Sequence, residues 1–160
     1  MKHRIRAAAL IEHEGALLLV EHQDHKGDRW WIPPGGGLED VDATILDCVE
    51  REVLEETGLS VEVGALKHMR EFIDTTNDTR HFELFYRCAL KKTQGLNAHA
   101  AAPTLYDHMI VGVKWIPIAA LEGFNVFPAE LKKRYWEKEN IEDGAPAYLG
   151  VSVESGDRKS

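Results

Sequence analysis

The chain has 160 residues, enough for one domain with a buried core. Hydrophobic residues make up 44% and charged residues 29%, which excludes collagenous, low-complexity and wholly disordered chains. Acidic residues outnumber basic ones 27 to 19, a formal net charge of -8 that argues against a groove for a nucleic-acid polymer.

The opening MKHRIRAAALIEHE starts basic, but its apolar stretch at 7–11 is too short for a secretory signal and Glu12 closes it. No apolar run approaches the roughly 20 residues that span a membrane. Residues 5–11 and 16–20 are apolar runs separated by Glu12-His13-Glu14-Gly15, the pattern of a hairpin. Residues 22–29 read as a polar loop, and Trp30-Trp31-Ile32 as a short strand stopped by Pro33-Pro34. Gly35-Gly36-Gly37 then reads as a tight turn. A helix follows. Thr44 and Asp47 have capping-box spacing at its start, Asp42 is a second candidate cap, and Gly58 is a C-terminal stop. Strands are predicted over 61–72, with a break at Gly64, and over 81–90, with a turn at 74–80 between them. Residues 91–107 read as a loop and 111–116 as a strand. A helical turn at 119–121 and a charged helix over 128–139 complete the elements, with a tail from about Gly150. This order predicts a single α+β domain over 1–149, a mixed sheet with helices packed on it, and a tail at 150–160. Cys48 and Cys88 form no CxxC pair, which excludes a thiolate zinc site; two buried free thiols in a cytoplasmic protein is the reading they favour.

The predicted helix carries the chemistry. Projected at about 100° per residue, Ile45, Leu46, Val49 and Val53 form one apolar stripe. Glu52, Glu55 and Glu56 cluster at i, i+3, i+4 spacing, with Glu56 inside the range of the stripe and Glu52 at its edge. Three like charges there repel each other, and the helix dipole disfavours them near the C-terminus. A solvated acidic face is the plain alternative. An oxygen-rich cluster also suits Mg²⁺, with Mn²⁺ as an alternative, and the neighbouring Gly36 and Gly37 carbonyls are further oxygen donors.

Gly35-Gly36-Gly37, thirteen intervening residues and then Arg51-Glu52-Val53-Leu54-Glu55-Glu56-Thr57-Gly58-Leu59 closely resemble the Nudix box, G-x5-E-x7-R-E-U-x-E-E-x-G-U, with U a bulky apolar residue. The second half matches throughout. The first half departs: counted from Arg51, the first Glu of the box falls on Ala43, and counted from Gly36 it falls on Asp42. Trp31-Ile32-Pro33-Pro34-Gly35-Gly36 and Trp115-Ile116-Pro117-Ile118 resemble family segments flanking the box.

The resemblance implies the Nudix fold, a mixed sheet sandwiched between helices. It implies hydrolysis of the diphosphate bond in a nucleoside diphosphate linked to another moiety, with ADP-ribose or a related nucleotide sugar as first expectation. A nucleoside triphosphate substrate and a non-catalytic nucleotide-binding module are the alternatives. Glu52, Glu55 and Glu56 would hold Mg²⁺ with a Gly36 or Gly37 carbonyl, and Arg51 would orient the carboxylates. Glu52 or Asp107 would serve as general base, with His108 beside it. A small-molecule nucleotide is the expected partner, with a homodimer open. Trp30, Glu83, Arg70 and Arg80 are further candidates, for which surface or core roles are the plainer reading.

Overall fold

The computed structural model describes residues 1–92, 109–133 and 146–154. In chain order its elements are β1 (Lys2–His13), β2 (Ala16–Gln23), β3 (Arg29–Ile32), β4 (Gly35–Gly37), α1 (Ile45–Thr57), β5 (Val61–Asp74), β6 (Thr79–Leu90), β7 (Met109–Pro117) and β8 (Ala147–Glu154). Two 3₁₀ turns, Ile118–Gly123 and Ala129–Lys133, lie between β7 and β8.

The predicted hairpin is present. Glu14 and Gly15 both take positive φ, 47° and 74°, as a two-residue turn between right-twisted strands requires. The sheet runs β3-β2-β1-β6-β5-β8, with β4 also on β1 and β7 also on β2. It is mixed, as expected: β1 runs parallel to β6 and β5 parallel to β8, while the other pairs are antiparallel. The break anticipated at Gly64 is a shift of register between Val63 and Leu66.

β1 is central because its side chains alternate between two cores. Ala7, Ala9 and Ile11 face α1, packing with Cys48, Val49, Val53, Leu59 and Val61. Ala8 and Leu10 face the opposite way, with Leu17, Leu19, Phe85, Ile116, Leu121 and Leu131. The small alanines let the helix approach the sheet closely, and Val49 and Val53 are fully buried. Leu46 departs from the predicted stripe: it is 40% exposed, at the edge of a buried arc carried by Cys48, Val49, Val53 and Glu56, while Ile45 in the same turn packs on the core.

Three other expectations are corrected. The triple glycine is not a free turn but a strand, β4, paired antiparallel with Arg6, Ala7 and Ala8. The start of the predicted 128–139 helix is a short 3₁₀ turn, Ala129–Lys133; residues 134–139 lie outside the described residues. The chain does not become a tail at Gly150, since β8 continues to Glu154 as a parallel edge strand on β5.

Candidate active site

α1 is positioned at both ends by its own sequence. The Thr44 side chain accepts a hydrogen bond from the Asp47 backbone at 3.2 Å, and the Asp47 carboxylate accepts one from the Thr44 backbone at 2.8 Å, which closes the predicted capping box. Gly58 ends the helix in the left-handed region, φ 71°, where a side chain is strained. Between these caps the carboxylates face β4 and the loop before the helix.

Arg51 is the hub. A guanidinium has five N–H donors, and here five oxygens receive them. Nε and Nη2 donate to the two oxygens of Asp42, both at 2.8 Å. Nη1 donates to Glu52 at 2.8 Å and to Glu55 at 3.2 Å. Nη2 also donates to the Gly37 carbonyl at 3.1 Å. One side chain therefore ties the loop, two helical carboxylates and the glycine strand together. Asp42 is the residue that meets Arg51, and its side chain is only 2% exposed. Ala43 is exposed and takes no part. The extra loop residue moves the carboxylate back one position, and the shorter Asp still reaches the guanidinium side-on.

The glycines are required by close approach. A Cβ at Gly36 would lie 2.4–2.5 Å from the Glu52 carboxylate. A Cβ at Gly35 would lie 2.3 Å from the Ala7 carbonyl, and one at Gly37 2.4 Å from the Arg4 guanidinium. The Gly35 N–H donates to Glu56 Oε2 at 3.0 Å. Cys48 donates to the Gly37 carbonyl at 3.4 Å; burial pushes its thiol up to about 12, so it remains a neutral donor. With Arg51 and Cys48 both on the Gly37 carbonyl, Gly36 is the better placed of the two for another ligand.

Electrostatics separates the carboxylates. The Arg51 hydrogen bonds hold Asp42 down at about 2. Burial pushes Glu56 up to about 8, against the Gly35 N–H that favours its charged form. Burial also raises Glu52, against Arg51. Glu55 is half exposed. The helix thus keeps a buried, protonated carboxyl beside a desolvated second one, an arrangement that costs stability unless a cation is received.

The donor set fits a hard divalent cation in kind: three carboxylates on successive turns and a backbone carbonyl, all oxygen. The side chains do not converge as they stand. Among the described residues, no three His, Cys, Asp or Glu groups are gathered closely enough to hold a metal ion. Arg51 engages Glu52 and Glu55, and Glu56 turns to Gly35.

A small cleft of about 50 Å³, open to solvent, lies on the sheet face opposite α1, lined by Arg6, Trp30, Arg70, Phe72, Glu83 and Phe127 among others. It adjoins the carboxylates through one residue: Arg6 Nη2 donates to the Gly35 carbonyl at 3.0 Å, while the Gly35 N–H donates to Glu56. Sequence reasoning missed Arg6 altogether and favoured exposed roles for Glu83 and Arg70. Glu83 is in fact buried, paired through one oxygen with Arg6 at 3.5 Å and through the other with Arg70. The charged residues that interrupt the apolar alternation of β1, β5 and β6 were the available signal. Trp30 lines the cleft and is 4% exposed. Arg80 pairs instead with Glu71 at 3.2 Å and is not among the lining residues. Asp107 and His108 lie outside the described residues.

A mixed sheet with a glycine strand under a carboxylate helix, its Arg fixed by a preceding acidic residue, is the architecture of a Nudix domain. The NUDIX domain family model matches residues 1–139, and the chain belongs to that family. Phosphatase NudJ of Escherichia coli K12 is 33% identical over 72 residues, 45% of this chain and 46% of NudJ. The chain thus matches about half the length of the curated relatives. Among solved structures, a NUDIX hydrolase from Nitrosomonas europaea has a TM-score of 0.67 and 23% identity, covering 82% of this chain and 85% of that one. An ADP-ribose pyrophosphatase from Streptococcus suis has a TM-score of 0.59 and 23% identity, covering 93% and 98%.

Proposed function

We propose that this chain is a Mg²⁺-dependent pyrophosphohydrolase that cleaves the diphosphate bond of a nucleoside diphosphate linked to another moiety, ADP-ribose or a related nucleotide sugar. The observation that carries the reading is the Arg51 hub. All five donors are spent on holding Asp42, Glu52, Glu55 and the Gly37 carbonyl beside the buried Glu56. A module that only bound nucleotides has no need of such a cluster.

Glu52, Glu55 and Glu56 would hold the cation, with the Gly36 carbonyl beside them. When bound, it supplies charge neutralisation at the diphosphate and an acidified water. The chain's residues do the rest. Asp42 fixes Arg51, and Arg51 sets the rotamers of Glu52 and Glu55. Arg6 stands between the carboxylates and the cleft, where it can bind a diphosphate oxygen through charge-assisted hydrogen bonds. Glu52 takes the proton of the attacking water. Burial raises its pKa above the ordinary carboxylate value, against Arg51, which makes it a better proton acceptor than an exposed carboxylate. Asp107 is the alternative base. The substrate preference rests on the S. suis neighbour, described as an ADP-ribose pyrophosphatase, and on the aromatic lining of the cleft. A reducing, cytoplasmic setting is part of the same reading, supported by the buried free thiols Cys48 and Cys88. No helix among the described residues is long and apolar enough to cross a membrane.

The test is incubation with Mg²⁺ and a panel of nucleotide sugars, dinucleotides and nucleoside triphosphates, with phosphorus products identified by NMR. Cleavage between the phosphorus atoms of ADP-ribose, lost in Glu56→Gln, is expected. Preferred cleavage of triphosphates would move the substrate class, and retention of ligand with no cleavage of any compound would make the chain a binding module.

A further inference from the structure

We propose that Arg70, positioned by Glu83, forms a specificity site for a second, separate phosphate group on the substrate, so that the preferred nucleoside diphosphate derivative carries a phosphate monoester away from the scissile bond. The inference deepens the proposed function and rests on it.

The three residues face the same way from three adjacent strands. Register places Arg6 of β1 beside Glu83 of β6, and Glu83 beside Arg70 of β5. Both arginines are largely covered, with side-chain exposures of 25% for Arg6 and 11% for Arg70, and Glu83 is at 8%. Each oxygen of Glu83 takes a different arginine. Glu83 shares its negative charge between the two guanidinium groups, and Arg6 is also balanced by Glu52 and Glu56 on the far side of Gly35. Arg70 and Glu83 line the cleft wall.

The geometry also says which arginine does what. Arg6 is tied to the carbonyl of Gly35, the residue whose N–H donates to Glu56, so it belongs to the diphosphate end. Arg70 lies deeper in the cleft. Its guanidinium carbon lies over the rings of Phe72 and Phe85, 5.8 and 6.0 Å from their centres. Its Nε is spent on Glu83, and among the described residues its Nη groups have no hydrogen-bond acceptor. A rigid fork with free terminal N–H groups matches a phosphate monoester, which offers several acceptor oxygens in that spacing. Glu83 itself is a poor base, because both oxygens are engaged by cations. Its part is to position the two forks. An apolar group in the same place would leave the Arg70 Nη donors unmet.

Substrate pairs that differ only by one phosphate ester test this. Binding of ADP-ribose and of ADP-ribose 2′-phosphate to the metal-free protein is measured by calorimetry. Cleavage of the same pair, and of dephospho-coenzyme A against coenzyme A, is then followed with Mg²⁺. The phosphorylated member is expected to bind, and to be cleaved at a kcat/KM, about tenfold to a hundredfold better, the worth of one or two charge-assisted hydrogen bonds. The gain is expected in KM rather than kcat. Arg70→Gln brings each ratio to within about threefold of unity, while Arg70→Lys, which keeps the charge and the Glu83 pair, retains part of the preference. A merely structural Arg70 lowers both members together and leaves the ratio alone. Equal binding of the two members by the native protein, or a preference that Arg70→Gln does not change, overturns the proposal. Absence of all cleavage with the binding preference intact overturns the hydrolase reading and leaves the phosphate site standing.

Discussion

Replacing Asp42 with Ala removes two of the five acceptors that hold the Arg51 guanidinium. Both bonds are 2.8 Å long and charge-assisted, and the Asp42 side chain is 2% exposed. A hydrogen bond to a charged group is worth about 1.5–3 kcal/mol. Arg51 keeps Glu52, Glu55 and Gly37 and its side chain is 20% exposed, so water relieves part of the loss. Two bonds at the lower end come to about 3 kcal/mol, and solvent screening reduces the net cost to about 2 kcal/mol, equivalent to roughly 4–8 °C in Tm for a domain of this size. Urea denaturation measures it. Activity should fall further, about tenfold or more, because Arg51 then swings towards Glu52 and Glu55 and disturbs their rotamers. Ala43→Glu is the control. Position 43 is exposed, so Glu there neither stabilises the native chain nor rescues Asp42→Ala. A loss below 0.5 kcal/mol in Asp42→Ala, or its rescue by Ala43→Glu, would refute the assignment of Asp42 as the partner of Arg51. Since Arg51 holds Asp42 down at about 2, below the ordinary carboxylate value of 3.8, its contribution is present above pH 4 and lost as pH falls towards 2.

Glu56 gives the opposite pH dependence. Its folded pKa is raised to about 8 from 4.5, so its contribution is full below pH 4.5 and lost as pH rises through 8; thermal scans without metal should show Tm falling over that window, and Glu56→Gln should flatten the fall. The glycine strand separates folding from chemistry. Gly35→Ala drives a Cβ to 2.3 Å from the Ala7 carbonyl, a backbone atom that cannot yield, and should prevent stable expression; Gly36→Ala meets only the movable end of Glu52, so circular dichroism should show a folded protein that has lost most of its hydrolysis. Val53→Ala, at a fully buried position between α1 and β1, should cost about 2–3 kcal/mol in urea denaturation without changing KM.

The helix was legible because its signals are local. Thr44 and Asp47, Gly58 and the buried position of Glu56 all follow from spacing within one segment, and the structure shows each of them. Leu46 was misplaced because a helical projection gives an angle but not where the buried arc ends. The glycine strand was read as a turn because its pairing partner, Arg6 to Ala8, is remote in sequence and no single residue of Gly35–Gly37 reports it. The cleft failed for the same reason on a larger scale. Arg6, Arg70 and Glu83 meet only because β1 runs parallel to β6 and β5 antiparallel to it, and strand order is not written in any one strand. β8 was missed because Gly150 interrupts it and its alternation is confined to Val151–Glu154, too short a run to stand out from a tail.

The central claim is that α1 presents its carboxylates to a divalent cation, with a proton on Glu56 that the cation must displace. Calorimetric titration with Mg²⁺ at pH 7, in two buffers of different ionisation enthalpy, measures binding and proton release together. Binding with release of roughly one proton, abolished in Glu56→Gln, is the predicted result. No binding, or binding that is unchanged in Glu56→Gln and releases no proton, would contradict it.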